Sequence, residues 1–547
     1  MGWTCERWVV VSSRDNSLTA SEESFTDESR QGNAETDRTT KDHLPNRIIE
    51  VLERQAKLLP TGIAVVEPSG SWTYGELRDV AGKTRTWLSE SGVRPGDRVI
   101  VVAENCRAFV VLIFAISSLD AWPVPVNARL SGREIDQIRE HCGARRTIYT
   151  VVVSAHARQH AEHDRAQILE VPGLGRIGMS ALNENALPER VEEDGARQVA
   201  ILLYTSGTTG QPKAVMLTHR NVLFIAAAAS KIRSLTPADR IYALLPMSHV
   251  VGFSVVLLGT MLSGATLVIT HRFDPVAMMK DVTGYGLTVV LGVPSMFALL
   301  VEYAKLKGIS AFNFPSLRII SSSGAPLGSQ LKGEVEKLFG LTLCNGYGIT
   351  ECSPTIAQVR IESPRTDTAV GPALPGVELK VVGPDGESLP NGEVGELRVR
   401  GPNVMKGYYR APEETAAVID SEGWFNTRDL ARIDDGNLFV IGRAKEMIIR
   451  FGFNVYPAEV ENVLNAHPAV LRSAVVGRRA AGAQGDEEVV AFVQCAQHAQ
   501  VSVAELSAHA ASRLAPYKVP SQFVVVTEMP MTSTGKIMKD KLAVPGP

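Results

Sequence analysis

At 547 residues the chain is too long for one hydrophobic core, so two or more domains are expected. Its 45% apolar and 21% charged residues are those of an ordinary globular protein, and a formal net charge of −3 argues against a nucleic-acid binder, which carries a basic excess. The six cysteines, Cys5, Cys106, Cys142, Cys344, Cys352 and Cys495, form no CxxC pair, which suits free thiols in a reducing compartment better than a disulfide framework or zinc site.

Residues 13–42 are polar, charged and nearly free of apolar side chains. They cannot bury enough surface to fold, so residues 1–44 are expected to be a disordered leader. Val9-Val10-Val11 is too short for a signal-peptide core, and the longest apolar run, 109–116, falls short of the ~20 residues of a membrane span. No membrane span is expected, and the setting is expected to be cytoplasmic.

From Ile48 the pattern becomes globular. Trp72-Thr-Tyr-Gly-Glu-Leu77 opens a helix with Leu77, Ala81, Trp87 and Leu88 near one face. Pro95-Gly-Asp97 turns the chain into a strand over 98–103. Strands over 267–270, 288–291 and 317–321 alternate with helical stretches, as in an α/β domain. Short segments between Gly and Pro, 378–382 and 395–400, read as antiparallel β. A strand over 438–441 then ends in Gly442-Arg-Ala-Lys445, and a smaller unit follows. There, Pro457 opens a helix bearing Val460, Val463 and Leu464, strands cover 474–476, 489–493 and 523–526, and Ser502 with Glu505 forms a capping box. The expected fold is an α/β large N-terminal domain over 45–442, with mixed sheets and a small antiparallel β subdomain. A hinge over 443–446 leads to a smaller, mobile α+β C-terminal domain over 447–547.

The most informative segment is Tyr204-Thr-Ser-Gly-Thr-Thr-Gly-Gln-Pro-Lys213, between the apolar strand Val199-Ala-Ile-Leu-Leu203 and a helix-like stretch over 216–229. Backbone N–H groups, hydroxyls and one ammonium in such a loop can surround a polyphosphate. A Walker A loop is excluded, because it requires Gly, four residues, then Gly-Lys-Ser/Thr. Four further motifs accompany it: Ser322-Ser-Gly-Ala-Pro-Leu327, Asn345-Gly-Tyr-Gly-Ile-Thr-Glu351, Gly423-Trp-Phe-Asn-Thr-Arg-Asp429, and the linker pair Gly442-Arg-Ala-Lys445 with Gly452-Phe-Asn-Val-Tyr-Pro457. The chain closes on Pro530-Met-Thr-Ser-Thr-Gly-Lys536.

In this order, the motifs resemble the AMP-forming acyl-CoA synthetase family of adenylate-forming ligases, over about residues 45 to 542. The resemblance implies a carboxylate attacking the α-phosphate of ATP to give acyl-AMP, then transfer of the acyl group to the thiol of coenzyme A. ATP, Mg²⁺, coenzyme A and a small-molecule carboxylic acid are the implied ligands; a homodimer stays open. By family position, Thr205, Ser206, Gly207, Thr208, Thr209, Gly210 and Lys213 hold phosphate. Gly324, Ala325, Pro326, Asn345, Gly346, Tyr347 and Gly348 border adenine, Thr350 contacts phosphate and Glu351 helps bind Mg²⁺. Asp429 holds the ribose, Arg443 contacts ribose or phosphate, and Lys536 bridges carboxylate and α-phosphate. Lys445 is the implied pivot, Gly452 the approach to the thiol arm, and Asn454 an adenylate contact. His249 lines the acyl entrance, and Phe253, Val293, Gly346, Ile349 and Ser353 the pocket. Ala214, Met531, Met538 and Lys539 depart from the usual residues, and none removes a reacting group.

The stretches 250–262 and 290–300 are almost wholly apolar and are expected to border the acid pocket, and such a lining suits a fatty or aryl acid. Glu351-Cys-Ser-Pro354 resembles the version found in fatty-acyl-CoA ligases, so a medium- or long-chain fatty acid is the expectation. An aryl-CoA ligase of benzoate or cinnamate type, or a freestanding enzyme loading a carrier protein, remains the alternative. A non-enzymatic adenylate sensor would need a catalytic group to be missing.

Overall fold

The segments 289–292 and 319–322 are short runs of branched apolar and small residues buried along their whole length, the mark of parallel strands covered on both faces. They lie in the centre of the computed structural model, which describes residues 44–205, 213–451, 453–479, 487–496, 499, 501–532 and 535–542. The expected leader falls outside the described residues apart from Leu44, as do Ser206, Gly207, Thr208, Thr209, Gly210 and Gly452.

The main sheet has eight strands in the order Thr355–Gln358, Leu343–Gly348, Ile319–Ser322, Val289–Gly292, Arg240–Ala243, Thr266–Ile269, Ile63–Glu67 and Gly70–Thr73. The six inner strands are mutually parallel and the two outermost are antiparallel to their neighbours. The carboxyl ends at Ala243, Gly292, Ser322 and Gly348 therefore open on one edge, where ligands bind in open α/β sheets. A second sheet of five strands carries Arg98–Ala103 between Trp122–Asn127 and Arg146–Tyr149. The apolar run 109–116 belongs to the helix Arg107–Ser117, buried in the main core. Among the described residues no helix is long and apolar enough to cross a membrane.

The 378–382 and 395–400 segments pair antiparallel as expected, and Phe425–Asp434 and Asn437–Arg443 extend them into a four-stranded sheet. Beyond it, Val470–Arg479, Glu487–Cys495 and Gln522–Val526 form a three-stranded sheet covered by the helices Pro457–Asn465 and Val503–Ala511. Val460, Leu464, Val475, Val489, Val493 and Leu506 give this smaller α+β domain its own core. Its second helix starts on the expected box: the Glu505 N–H donates to Ser502 Oγ at 3.2 Å, and the Ser502 N–H to Glu505 Oε2 at 2.8 Å.

Candidate active site

Lys213 is placed by strand register. Val199–Thr205 and Lys213–Thr218 form an antiparallel hairpin in which Thr205 faces Lys213. This corrects the expected helical stretch over 216–229: Val215, Leu217 and Thr218 are buried in the return strand, and the helix starts only at His219, capped by Thr218. The Lys213 ammonium pairs with Glu414 and stands 5.4 Å from the centre of the Tyr408 ring. The Tyr408 hydroxyl in turn donates to Glu351 Oε1 at 2.9 Å. Tyr408, which no sequence motif singled out, thus joins the loop lysine to the carboxylate expected at the metal.

The strand-end motifs converge as the parallel sheet requires. Gly324, Ala325, Pro326, Asn345, Gly346, Tyr347, Gly348, Ile349, Thr350 and Glu351 line one cleft of about 3040 Å³, together with Thr205, Lys213, His249, Val293, Asp429, Arg443, Lys445 and Lys536. Asn345 also serves the scaffold, its amide donating to the Thr368 carbonyl at 3.0 Å. Glycine is required at 348, where a Cβ would collide with the Pro354 carbonyl. Asp429 and Arg443 are cross-strand partners, with Arg443 Nε 3.7 Å from Asp429 Oδ1. The Tyr347 hydroxyl donates to Asp429 Oδ2. Burial pushes the Asp429 carboxyl above its ordinary value, against the pull of Tyr347 and Arg443.

From the small domain, the loop ending in Lys536 reaches the same cleft. Gly535 has φ +81°, and its carbonyl accepts a 3.1 Å hydrogen bond from Ser295 Oγ of the large domain. The Lys536 N–H donates to Thr532 Oγ1 at 3.0 Å, which sets the loop's direction. Burial first, then the Arg443 guanidinium, lowers the Lys536 ammonium below the usual lysine range, while Glu446 and Asp429 oppose the fall. Lys539, three residues on, is held 2.8 Å from Glu461 and 3.2 Å from Glu446. Among the described residues no such ion pair holds Lys536.

His249 follows a turn pinned by a buried amide that sequence reasoning missed. Asn105 Nδ2 donates to the Ala243 and Leu245 carbonyls at 2.9 and 3.0 Å, and Asn105 Oδ1 accepts from the Met247 N–H at 2.7 Å. The imidazole is exposed on the cleft, where enclosure by its walls and then the Lys536 charge lower it below the usual imidazole value.

Three expected residues lie elsewhere. Phe253 packs fully into the main core, because the Val251–Leu258 turn of π-helix aims it inward. Ser353 is buried with its hydroxyl donating to the Asn403 carbonyl at 2.8 Å. Asn454 is exposed on the small domain's Ile448–Arg450/Phe453–Val455 hairpin, outside the lining of the cleft.

Behind Gly324 and Gly346 lies a further cavity of about 20 Å³. Val251, Val255 and Leu291 wall it, but Ser321, Gln358 and Arg233 also border it. Of the 250–262 stretch expected to border the acid pocket, Val250 and Val251 line the main cleft, and Val251 and Val255 this cavity. Most of the 250–262 stretch is spent on the core, and polar groups arrive from segments distant in sequence.

Known proteins resemble this chain over about nine-tenths of its length. Residues 52–409 match the AMP-binding enzyme family and residues 459–536 the AMP-binding enzyme C-terminal domain. The chain is 34% identical to a feruloyl-CoA synthase of Amycolatopsis sp, covering 89% of this chain and 97% of that protein. It is 33% identical to 4-coumarate–CoA ligase 5 of Oryza sativa subsp. japonica, over 92% and 94% of the two chains. A solved structure of o-succinylbenzoate CoA synthetase from Bacillus subtilis, bound to its acyl-adenylate intermediate, superposes with a TM-score of 0.78 at 30% identity over 92% and 98% of the chains. The chain thus belongs to the AMP-binding enzymes. Within them it is an AMP-forming acid–CoA ligase, with ATP, Mg²⁺ and coenzyme A as its co-substrates.

Proposed function

We propose that the acid is aromatic, of the aryl or arylpropenoic kind, rather than the fatty acid expected from the sequence. What carries this reading is the names borne by the feruloyl-CoA synthase and 4-coumarate–CoA ligase relatives, which match over 89% and 92% of this chain.

In the first step the acid's carboxylate oxygen bonds to the α-phosphorus and the bond to pyrophosphate breaks. Two anions must meet, so cations have to stand where charge accumulates. Lys536 lies between acid and α-phosphate, and Lys213 exchanges Glu414 for the β- and γ-phosphates. Ser206, Gly207, Thr208, Thr209 and Gly210 supply the rest of the phosphate loop. Asp429 accepts from the ribose hydroxyls, with Tyr347 and Arg443 fixing its carboxylate. Among the described residues no three acidic, His or Cys groups cluster to hold a metal. Glu351 would help hold Mg²⁺, with Thr350 beside it, and the ion would offset phosphate charge.

In the second step the thiol sulfur bonds to the acyl carbon and AMP leaves. Lys445 is exposed on the single 3₁₀ turn Ala444–Glu446 between the domains, which supports a pivot there over 443–446. Rotation would withdraw Lys536 and present the hairpin that carries Gly452 and Asn454. The free state of the five described cysteines supports a reducing, cytoplasmic setting.

The test is pyrophosphate release from ATP over a panel of benzoate, cinnamate, indoleacetate and octanoate, with and without coenzyme A. Thiol-dependent turnover led by an aromatic acid is expected. Turnover led by octanoate would overturn the aromatic reading, and thiol-independent turnover would favour a carrier-loading role.

A further inference from the structure

Arg428 holds a backbone conformation that side chains avoid. Its φ is +58°, and among the described residues it is the one non-glycine residue lining the cleft with left-handed backbone. The cause is a bulge in the four-stranded antiparallel sheet. Between the pairs Glu396–Leu430 and Arg398–Asn426, Leu397 alone stands opposite Thr427, Arg428 and Asp429. Side chains fix the bulge. Asn426 Oδ1 accepts from the Arg428 N–H at 2.9 Å, and Thr427 Oγ1 accepts from the Asp429 N–H at 3.1 Å while donating to the Leu397 carbonyl at 2.8 Å. Consecutive residues of a regular strand point to opposite faces. Here both Arg428 and Asp429 border the cleft, Asp429 buried and Arg428 exposed.

The neighbouring carboxylates already have partners. Asp429 is met by Tyr347 and Arg443, Glu351 by Tyr408, and Glu414 by Lys213. Burial and then Glu351 raise the Tyr408 phenol; the Arg428 charge pulls it down, and Glu414 opposes that pull. Arg428 thus shares the Tyr408 corner of the cleft with Lys213 and Glu351, the groups assigned to the terminal phosphates and to Mg²⁺. Glycine would hold the bulge without strain, so the strained position is accounted for by what the side chain does. A polyphosphate carries more negative charge than one ammonium offsets, and a guanidinium presents a planar fork of donors to its oxygens.

We infer that Arg428 is a further cation of the adenylation step, contacting the β- and γ-phosphate oxygens of ATP and holding pyrophosphate as it departs. The inference rests on the placement of those phosphates beside Lys213. As the bond from the α-phosphorus to the bridging oxygen breaks, its electron pair passes to pyrophosphate, and the guanidinium meets that charge.

The experiment uses the acid that turns over fastest and measures the KM for ATP, product inhibition by pyrophosphate, and the thioester step from supplied acyl-AMP and coenzyme A. Arg428→Asn removes the charge and keeps a residue that tolerates the left-handed turn. It is expected to raise the KM for ATP and the inhibition constant of pyrophosphate about tenfold each, the loss of a hydrogen bond to a charged group at an exposed site. The thioester step involves neither terminal phosphate and is expected to keep its rate. Arg428→Lys is expected to recover most of both constants, and should Arg428→Asn not fold, Arg428→Gly takes its place. An unchanged KM for ATP, or a thioester step that falls as far as adenylation, would overturn the inference. Lys213→Ala tests the phosphate placement separately. If it leaves the KM for ATP unchanged while Arg428→Asn raises it, the placement fails and Arg428 still meets phosphate; if only Lys213→Ala raises it, the inference fails and the placement stands.

Discussion

Replacing Lys536 by alanine separates the two half-reactions. The ammonium is buried beside Arg443, Asp429 and Glu446, and it reaches the cleft from a loop whose docking depends on backbone: the Ser295–Gly535 hydrogen bond and the Lys536 N–H to Thr532. Lys536→Ala therefore removes a charge without removing the contacts that seat the loop. A donor aimed at developing negative charge is worth about 2.7–4 kcal/mol, or 10²–10³ in rate. Coulomb attraction across 4 Å at an effective dielectric of 20 gives about 4 kcal/mol, the same order. Arg443 remains as a second cation, which argues for the lower part of that range in residual binding of ATP and for the upper part in the rate of adenylation. The assay is acid-dependent ATP–pyrophosphate exchange for the first step, and thioester formation from supplied acyl-AMP and coenzyme A for the second. Exchange is expected to fall at least a hundredfold while the second step stays within a few-fold. Equal losses in both steps, or a loss under tenfold in exchange, would refute the role given to this lysine.

Three further substitutions probe the surroundings. Gly535→Ala forces a side chain at φ +81° and sets its Cβ 2.7 Å from Ser295 Oγ, so strain of about 1–3 kcal/mol should lower pyrophosphate exchange about tenfold with little change in melting temperature. Glu351→Gln should raise the Mg²⁺ concentration needed for half-maximal exchange; an unaltered Mg²⁺ dependence would remove Glu351 from the metal's surroundings. His219 is buried, its Nδ1 accepts from the Ile48 N–H at 3.2 Å, and burial with the Arg47 charge brings it down to about 3 from an ordinary 6.5. Its folded pKa lies below the unfolded one, so the stability it contributes is complete above pH 6.5 and is lost as pH falls toward 3. The total is on the order of 5 kcal/mol. His219→Gln should flatten that acid limb in urea denaturation, and an unchanged limb would assign the loss to other groups.

What was legible in the sequence follows from where each kind of information resides. The α/β class, the antiparallel pair over 378–382 and 395–400 and the Ser502 cap are local patterns, and they appear where the residues put them. The return strand of the hairpin was misread because Met216-Leu217 and the apolar run 222–229 were taken as one helix, although the polar Thr218-His-Arg-Asn221 between them holds the capping box where the helix actually starts. The cleft residues were legible because they fall in short contiguous motifs, 324–326 and 345–348 at the ends of parallel strands and Lys213, Asp429 and Arg443 on antiparallel ones. Tyr408, Ser295, Asn105 and Arg233 were not. Each acts through a partner 57 to 240 residues away, and nothing in its neighbours marks it.

The same distinction explains why the reaction could be read more easily than the substrate. Chemistry on ATP needs cations and glycines at fixed places, and those places are written in contiguous motifs. The small cavity beside Gly324 and Gly346 instead draws Arg233 from a helix terminus, Gln358 from an edge strand and Ser321 from a central strand, joined only by the fold. An apolar count over 250–262 therefore measured the core: Val255, Val256, Leu257 and Leu258 are all buried there.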